Sequence, residues 1–344
     1  MRHESGTRAC AVLVGSLAAV VLILVCGRLT IASTALPQYT IVDLGTLGGS
    51  YSAAFGINES GQIVGEAAIA NGNIHAFFYS SGKMTDVGTL GGEYSSARSV
   101  SSGDVAGYST LSNGNYAAFL WSGGKLIKIG NLGGNYSAGF GTNLHGQVVG
   151  ASYTASSNEH AFSYSGGKPA DLGTLGGPYS SAAGINSLGQ IVGYAYLSSG
   201  AFHAFSYANG RMSDLGTLGG DYSSAKGVNA NGQIAGEAYV PGNTGSHAFL
   251  YNAGTMTDLG TLGSYAQGLA LNDSAVVVGQ TTVPSNSSSL VYHAFIYTSG
   301  QVVDLNKLVP PSDWVLVSAT GINHAGQIVG YGTIKGQLHA FLLQ

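Results

Sequence analysis

Charge is scarce in this sequence. Only 8% of its 344 residues are Asp, Glu, Lys or Arg, against roughly 25% in ordinary globular chains, which excludes a coiled coil and a charge-rich disordered chain. Twelve Lys and Arg stand against sixteen Asp and Glu, a formal charge of -4. No basic cluster is present to displace counterions from phosphates, so nucleic acid is not an expected partner. Cysteine is almost missing. The two that occur, Cys10 and Cys26, fall within the first 37 residues, so the rest of the chain has no disulfide and must be stabilised by packing. Gly82-Lys83, Gly124-Lys125 and Gly167-Lys168 are never followed by Ser or Thr, which excludes a phosphate-binding loop. Glycine, by contrast, is abundant at 55 residues, more than twice its usual share of roughly 7%. Turns must be frequent, and 44% apolar residues over this length suffice for a large core.

Residues 1–37 read as an export signal. Arg2 and Arg8 precede an uncharged run over residues 9–26, Arg28 follows it, and Ile31-Ala32-Ser33-Thr34-Ala35 offers small residues for a signal peptidase. Cleavage would release an extracellular or cell-surface product. The run is also close to the minimum for a membrane-spanning helix, so retention would make it an N-terminal anchor.

The remainder, residues 38–344, is a repeat. Asp-Leu-Gly-Thr-Leu-Gly-Gly begins at Asp43, recurs in variant form at Asp86, Lys128, Asp171, Asp214 and Asp258, and degenerates at Asp304, a period near 43 residues. Triplets of the His-Ala-Phe type start at His75, Ala117, His160, His203, His247, His293 and His339, giving seven units. In the first unit, residues 51–58, 62–65, 75–79 and 84–87 have strand length and composition. Asn58-Glu59-Ser60-Gly61 and Ser81-Gly82 supply hairpin turns. Four strands in ~40–45 residues, repeated seven times, predict an all-β, seven-bladed β-propeller with four antiparallel strands per blade. The last unit stops after its third strand, and an orphan strand over residues 40–43 precedes the first. The N-terminal strand is therefore expected to complete the last blade, which removes open sheet edges and favours a monomer.

In five units the His of the third strand and the Asp of the fourth stand eleven residues apart: His75 and Asp86, His160 and Asp171, His203 and Asp214, His247 and Asp258, His293 and Asp304. A sixth pair, His339 with Asp43, is expected across the chain ends. Unit two has Ala117 and Lys128, so both partners disappear together. An Asp orienting a His is a catalytic part in some enzymes, but catalysis needs one site, and recurrence in five units, with a sixth pair expected, points to a structural brace. Neighbouring His positions lie too far apart for a shared zinc ion. No metal or cofactor is expected.

Asp-Leu-Gly-Thr-Leu-Gly-Gly, Gly-Ile-Asn-x-x-Gly-Gln-Ile-Val-Gly and His-Ala-Phe-x-Tyr together resemble the HAF-repeat family of predicted extracellular bacterial proteins. The resemblance spans about Tyr39 to Gln344, with departures at Ala117 and Lys128 and over residues 305–314. It implies bacterial secretion and carries no activity, substrate or catalytic residue.

A ligand site is sought on the rim formed by the loops joining strand four to the next strand one and strand two to strand three. The first kind repeats Gly-Gly-x-Tyr and places Tyr51, Tyr94, Tyr136, Tyr179, Tyr222 and Tyr265 at equivalent positions. The second varies in length over residues 68–74, 239–246 and 281–292, and variation suits recognition. After the Gly of the second strand stand Glu66, Tyr108, Ala151, Tyr194, Glu237, Gln280 and Tyr331. Aromatic faces beside amides and carboxylates suit a glycan or other polar polymer; packed between blades, the same tyrosines would be interior filler. Glu66 and Glu237 imitate a glycosidase pair but sit in units one and five, too distant for the ~5–9 Å such pairs need. Trp314 and Asp313 interrupt unit seven and mark either a unique pocket or a loop insertion. Asn135-Tyr136-Ser137 and Asn286-Ser287-Ser288 match glycosylation acceptors and read as turn residues. The expectation is a secreted, non-catalytic propeller that binds an extracellular glycan or protein through Glu66, Tyr108, Tyr194, Glu237, Gln280, Tyr331 and Trp314. A propeller hydrolase or lyase and a structural matrix protein are the alternatives.

Overall fold

The computed structural model describes residues 36–285 and 289–344. The expected export signal with Cys10 and Cys26, and the Asn286-Ser287-Ser288 acceptor, lie outside the described residues. Among the described residues every regular element is a strand apart from two short 3-10 turns, Pro241–Asn243 and Leu305–Lys307. Among the described residues there are five four-stranded antiparallel sheets and one of eight strands. The eight-stranded sheet is two four-stranded meanders joined by a single parallel bridge, Ile74 to Tyr94.

The first unit runs Gly48–Ile57, Ile63–Ile69, Ile74–Ser80 and Lys83–Gly88. Its first strand begins three residues before the expected residue 51, because Gly48, at a φ of 107° that favours glycine, already pairs with Ile69. The hairpin turns follow their chemistry. Asn58 Oδ1 accepts from the amides of Ser60 and Gln62, both at 3.0 Å, while Ser81 and Gly82 take positive φ of 51° and 79°, the twist a two-residue hairpin needs. Each unit buries one Phe completely: Phe77, Phe119, Phe162, Phe205, Phe249, Phe295 and Phe341. Opposite it on the second strand is a Gly, as in Gly65 against Phe77. A Cβ there would collide with the Ala53 carbonyl oxygen and come within 2.8 Å of the Phe77 ring. The Gly of the second strand is thus the space its Phe fills.

The orphan strand pairs as expected. Ile41–Asp43 lies antiparallel to Gln337–Leu343, with Ile41 opposite Leu343 and Asp43 opposite Phe341. The first strands of successive units contact one another in chain order, and the last, Trp314–Ile322, also contacts Gly48–Ile57.

Two hydrogen-bonded systems join neighbouring units. In the first, Nδ1 of each His lies 2.8–3.1 Å from an Asp oxygen in all six pairs, His339 and Asp43 included. An ionised carboxylate only accepts, so Nδ1–H donates. In five of the six, the Asp Oδ1 also accepts the amide of the Gly two residues on, at 2.7–2.8 Å, and holds that Gly at positive φ. The Gly carbonyl accepts from a Ser of the next unit, at 2.5–2.6 Å for Ser52, Ser95, Ser180 and Ser223. The same Ser Oγ accepts the amide following the His, as from Ala76, Ala161, Ala204 and Ala340. His, Asp, Gly and Ser thus form a relay from one unit into the next.

The second system lies at the far end of the first strands. Asn Nδ2 donates to the carbonyl of the corresponding Asn one unit on: Asn143 to Asn186, Asn186 to Asn229, Asn229 to Asn272, Asn272 to Asn323, and Asn323 to Asn58, over 3.0–3.4 Å. His324, 52% exposed at its side chain, bridges Glu59 and Asp273 with 2.6 Å to each. Its hydrogen bonds to Glu59 and then to Asp273 raise its pKa above the usual imidazole range.

Asp214→Ala removes the acceptor for both His203 and Gly216. It is expected to cost about 1–3 kcal/mol in urea unfolding, against less than ~0.5 kcal/mol for Lys128→Ala; equal costs would contradict the relay. A raised imidazole pKa means that the His324 bridge stabilises fully below the unfolded value of about 6.5 and is lost as pH rises through the folded value. The wild-type unfolding midpoint should therefore fall more between pH 5.5 and pH 9 than that of His324→Gln, by less than ~1 kcal/mol for so exposed a bridge. Parallel pH profiles would contradict it.

Candidate functional site

The two loop families meet at one rim. Leu47 bridges Ile69 and Leu90 bridges Leu111, and in unit five Asn243 exchanges hydrogen bonds with Asp221 at 2.9 and 2.6 Å. Just inside this rim the first strand slips register, at Phe55, Arg98, Phe140 and Lys226 among others. Such a bulge re-aims its side chain. Here the bulged residues approach the position after the second-strand Gly: the Arg98 guanidinium lies 4.1 Å over the Phe55 ring and 5.9 Å from that of Tyr108, and Phe140 is 6.1 Å from Tyr108.

Glu66 is the most enclosed of the predicted rim residues, 8% exposed. Tyr51 of its own unit donates to Oε1 and Tyr94 of the next to Oε2, each at 2.7 Å. Burial first, then the charge and hydrogen bond of Glu66, push both phenol pKa values up, so these tyrosines remain neutral donors at physiological pH.

From Tyr94 the rings continue around the rim: Tyr94 to Tyr108 at 6.0 Å, Tyr108 to Tyr116 at 5.9 Å, Tyr116 to Tyr136 at 6.4 Å and Tyr136 to Tyr153 at 5.0 Å. A second run links Tyr179, Tyr196 and Tyr194 with Phe202, and Phe202 with Tyr222 at 4.9 Å and Tyr222 with Tyr239 at 5.5 Å. The runs belong to neighbouring units, whose first strands Gly133–Thr142 and Gly176–Ile185 are in contact; burial, then Glu159 and then other tyrosines, Tyr194 among them, raise the pKa of Tyr136. Burial also raises the Glu159 carboxyl. Centroid spacings of this size are those of tilted and edge-on aromatic pairs.

The rim then turns polar. Glu237 accepts from Gln267 Nε2 at 2.7 Å and lies 3.5 Å from the Lys226 ammonium, while Gln280 Nε2 donates to Gln267 Oε1 at 3.1 Å. Glu237, Tyr239, Tyr265, Gln267, Gln280 and Tyr292 line a depression of about 240 Å³. The hydroxyls of Ser96, Ser224 and Ser318 are buried without a hydrogen-bond partner among the described residues, and they sit cross-strand from Tyr108, Glu237 and Tyr331.

The predicted residues are thus distributed around the rim. Tyr108 and Tyr194 belong to the aromatic runs, Glu237 and Gln280 to the polar depression, and Glu66 and Tyr331 both act on Tyr51. Glu66 and Glu237 have separate partners. Trp314 stands apart, edge-on to Phe341 at 6.2 Å and packed on the apolar cluster of unit seven; none of its ring contacts among the described residues is with the rim tyrosines. Sequence reasoning missed Arg98, Tyr116, Lys226 and Gln267. The signal was present in the variation of the bulged position for Arg98 and Lys226, of the residue before the His for Tyr116, and, for Gln267, of the first-strand residue that elsewhere is Ser or Ala.

No protein-family model matches the sequence, and no curated protein matches it. Solved structures do resemble the fold. The β-propeller domain of the Trilobed protease from Pyrococcus furiosus, which has an open Velcro topology, aligns with a TM-score of 0.54 at 10% identity over 85% of this chain and 95% of its own. A puromycin hydrolase S511A mutant complexed with PGG aligns at 0.52, with 12% identity over 84% of this chain and 51% of its own. The acylaminoacyl peptidase of Pyrococcus horikoshii aligns at 0.51, with 10% identity over 88% and 52%. This chain therefore spans about half the length of the latter two. At such identities the likeness shows an all-β, β-propeller type of fold.

Glu66→Gln keeps the shape but leaves one phenol facing an amide N–H₂. The expected loss is about 1–3 kcal/mol in urea unfolding, and Tyr51→Phe in the Glu66→Gln background should cost less than Tyr51→Phe alone. Additive costs would show that the phenol and carboxylate are not coupled.

Proposed function

We propose that the chain is an exported, seven-bladed β-propeller, closed by its N-terminal strand, that binds an extracellular glycan without chemistry through the rim described above. Four-stranded meanders at a 43-residue period, first strands in serial contact, and the His339–Asp43, Asn323–Asn58 and Thr320–Ala54 bonds across the chain ends support closure. The leader motif supports export. The aromatic belt from Tyr94 to Tyr239 is the observation that carries the binding reading. Burial raises the phenol pKa of Tyr94, Tyr136, Tyr194 and Tyr239 within it, and the carboxylates and amides of Glu66, Glu237, Gln267 and Gln280 stand beside it on the same rim. Sugars offer what such a surface matches: apolar C–H faces for stacking and hydroxyls for directional hydrogen bonds.

The two carboxylates that could have suggested glycoside hydrolysis are committed to different neighbours, Glu66 to Tyr51 and Tyr94 and Glu237 to Gln267 and Lys226. No observation favours a hydrolase over a binder. A glycan array probed with the wild-type chain and with Tyr194→Ala/Tyr331→Ala tests the reading. Binding to a defined set of saccharides, weakened about tenfold or more in the variant, is expected from the loss of two stacking faces. No saccharide bound by the wild type would overturn it.

A further inference from the structure

Three of the places where unit two breaks the repeat lie close together. Ala117 replaces the His, Lys128 the Asp, and Asn131 the Thr of Gly-Thr-Leu-Gly-Gly, and the structure brings all three to one cavity of about 230 Å³. The cavity follows from the substitutions. Without a carboxylate at 128 to accept its amide, Gly130 does not adopt the positive φ of its counterparts Gly45, Gly88, Gly173 and Gly216. The Ala117 side chain leaves empty the space an imidazole fills elsewhere, and Ser137 keeps only its bond from the Ala118 amide, at 3.0 Å.

The lining has a consistent chemistry. Lys128 is exposed and pairs with no carboxylate among the described residues, and no carboxylate lines the cavity. Asn113, Asn115, Asn131 and Asn135 surround it. Asn131 Oδ1 accepts the Gly133 amide at 3.0 Å and Asn113 Oδ1 the Asn115 amide at 3.1 Å, so both carboxamides are anchored by their oxygens with Nδ2 left to donate. Tyr116, 39% exposed, forms one wall and continues the aromatic belt. The corresponding position carries a carboxylate in every other unit, at Asp43, Asp86, Asp171, Asp214, Asp258 and Asp304. An anion is therefore repelled at six sectors and attracted at one.

We infer that this cavity is the subsite for a carboxylate-bearing saccharide residue, a uronate, with its carboxylate on Lys128 Nζ, its hydroxyls on the asparagine amides and its ring against Tyr116. The volume is below the roughly 300 Å³ at which drug-sized sites begin, which suits one sugar residue of a chain whose remainder runs along the belt. The inference rests on the reading of that rim as a glycan-binding surface and adds the ligand's charge and anchoring point.

The test is calorimetric titration of the full chain with oligogalacturonate and with the same oligomer reduced to neutral galactose residues. Two variants accompany the wild type. Ala117→His/Lys128→Asp/Asn131→Thr restores the repeat and should unfold at or above the wild-type midpoint, because it rebuilds a brace that the other units carry. Lys128→Gln keeps the packing should the triple variant fail to fold. Oligogalacturonate binding that exceeds binding of the neutral oligomer, and that falls about tenfold or more in both variants as a charge-assisted contact is lost, supports the subsite. Equal binding of oligogalacturonate by wild type and variants overturns it. Binding of neutral saccharides alone also overturns it while leaving the glycan-binding rim intact, whereas no saccharide binding of any kind removes both.

Discussion

One hydrogen-bonded relay sets the geometry on which the rest depends. An imidazole and a backbone amide share one carboxylate, the carboxylate fixes a Gly in the left-handed region, and that Gly offers its carbonyl to a Ser on the first strand of the next unit. A side-chain pair within a hairpin is thereby converted into a constraint between hairpins. Because the same Ser also caps the amide after the His, the junctions made by Ser52, Ser95, Ser180 and Ser223 are each tied at two points. The junction between chain ends uses the same atoms, through Asp43, His339, Ser52 and Ala340, so covalent continuity is not what makes a neighbour.

The relay also explains where diversity is tolerated. Residues inside it are small and repetitive, and the buried Phe and its facing Gly leave no room for change. Positions beside it are free: the bulged residue, the residue after the second-strand Gly, and the residue before the His. These hold Arg98, Lys226, Glu66, Glu237, Tyr116 and Phe202, and they converge on one rim. Unit two is where the relay itself was given up, and there the surface opens into a cavity with a cation in place of an anion.

Much of this was legible in the sequence. Turn chemistry at Asn58 to Gly61 and at Ser81-Gly82, with the 43-residue period, gave four strands per unit; the incomplete last unit gave the pairing of Ile41–Asp43 with Gln337–Leu343; and an even hairpin loop put His and Asp on one face. Those inferences depend on local register, which sequence carries. The relay's serines, the asparagine ladder and the Tyr94–Glu66 contact were not legible, because each joins residues of different units whose relative placement no hairpin register specifies. Asn58 and its counterparts were read as turn residues, which they are, but the Nδ2 atoms of Asn143, Asn186, Asn229, Asn272 and Asn323 also reach across to the next unit. Trp314 was read as an interruption of the repeat in unit seven and lies against Phe341 instead of with the rim tyrosines.

The central claim, that the chain ends are joined by the relay that joins every regular pair of units, is tested most directly by amide hydrogen exchange at Ala340. Its N–H donates to Ser52 Oγ at 2.9 Å, as the Ala204 amide does to Ser223 at 2.8 Å. The account predicts that Ala340 exchanges as slowly as Ala204, and that Ser52→Ala accelerates Ala340 while leaving Ala204 unchanged. Rapid exchange at Ala340 in the unmodified chain, with Ala204 protected, would contradict it.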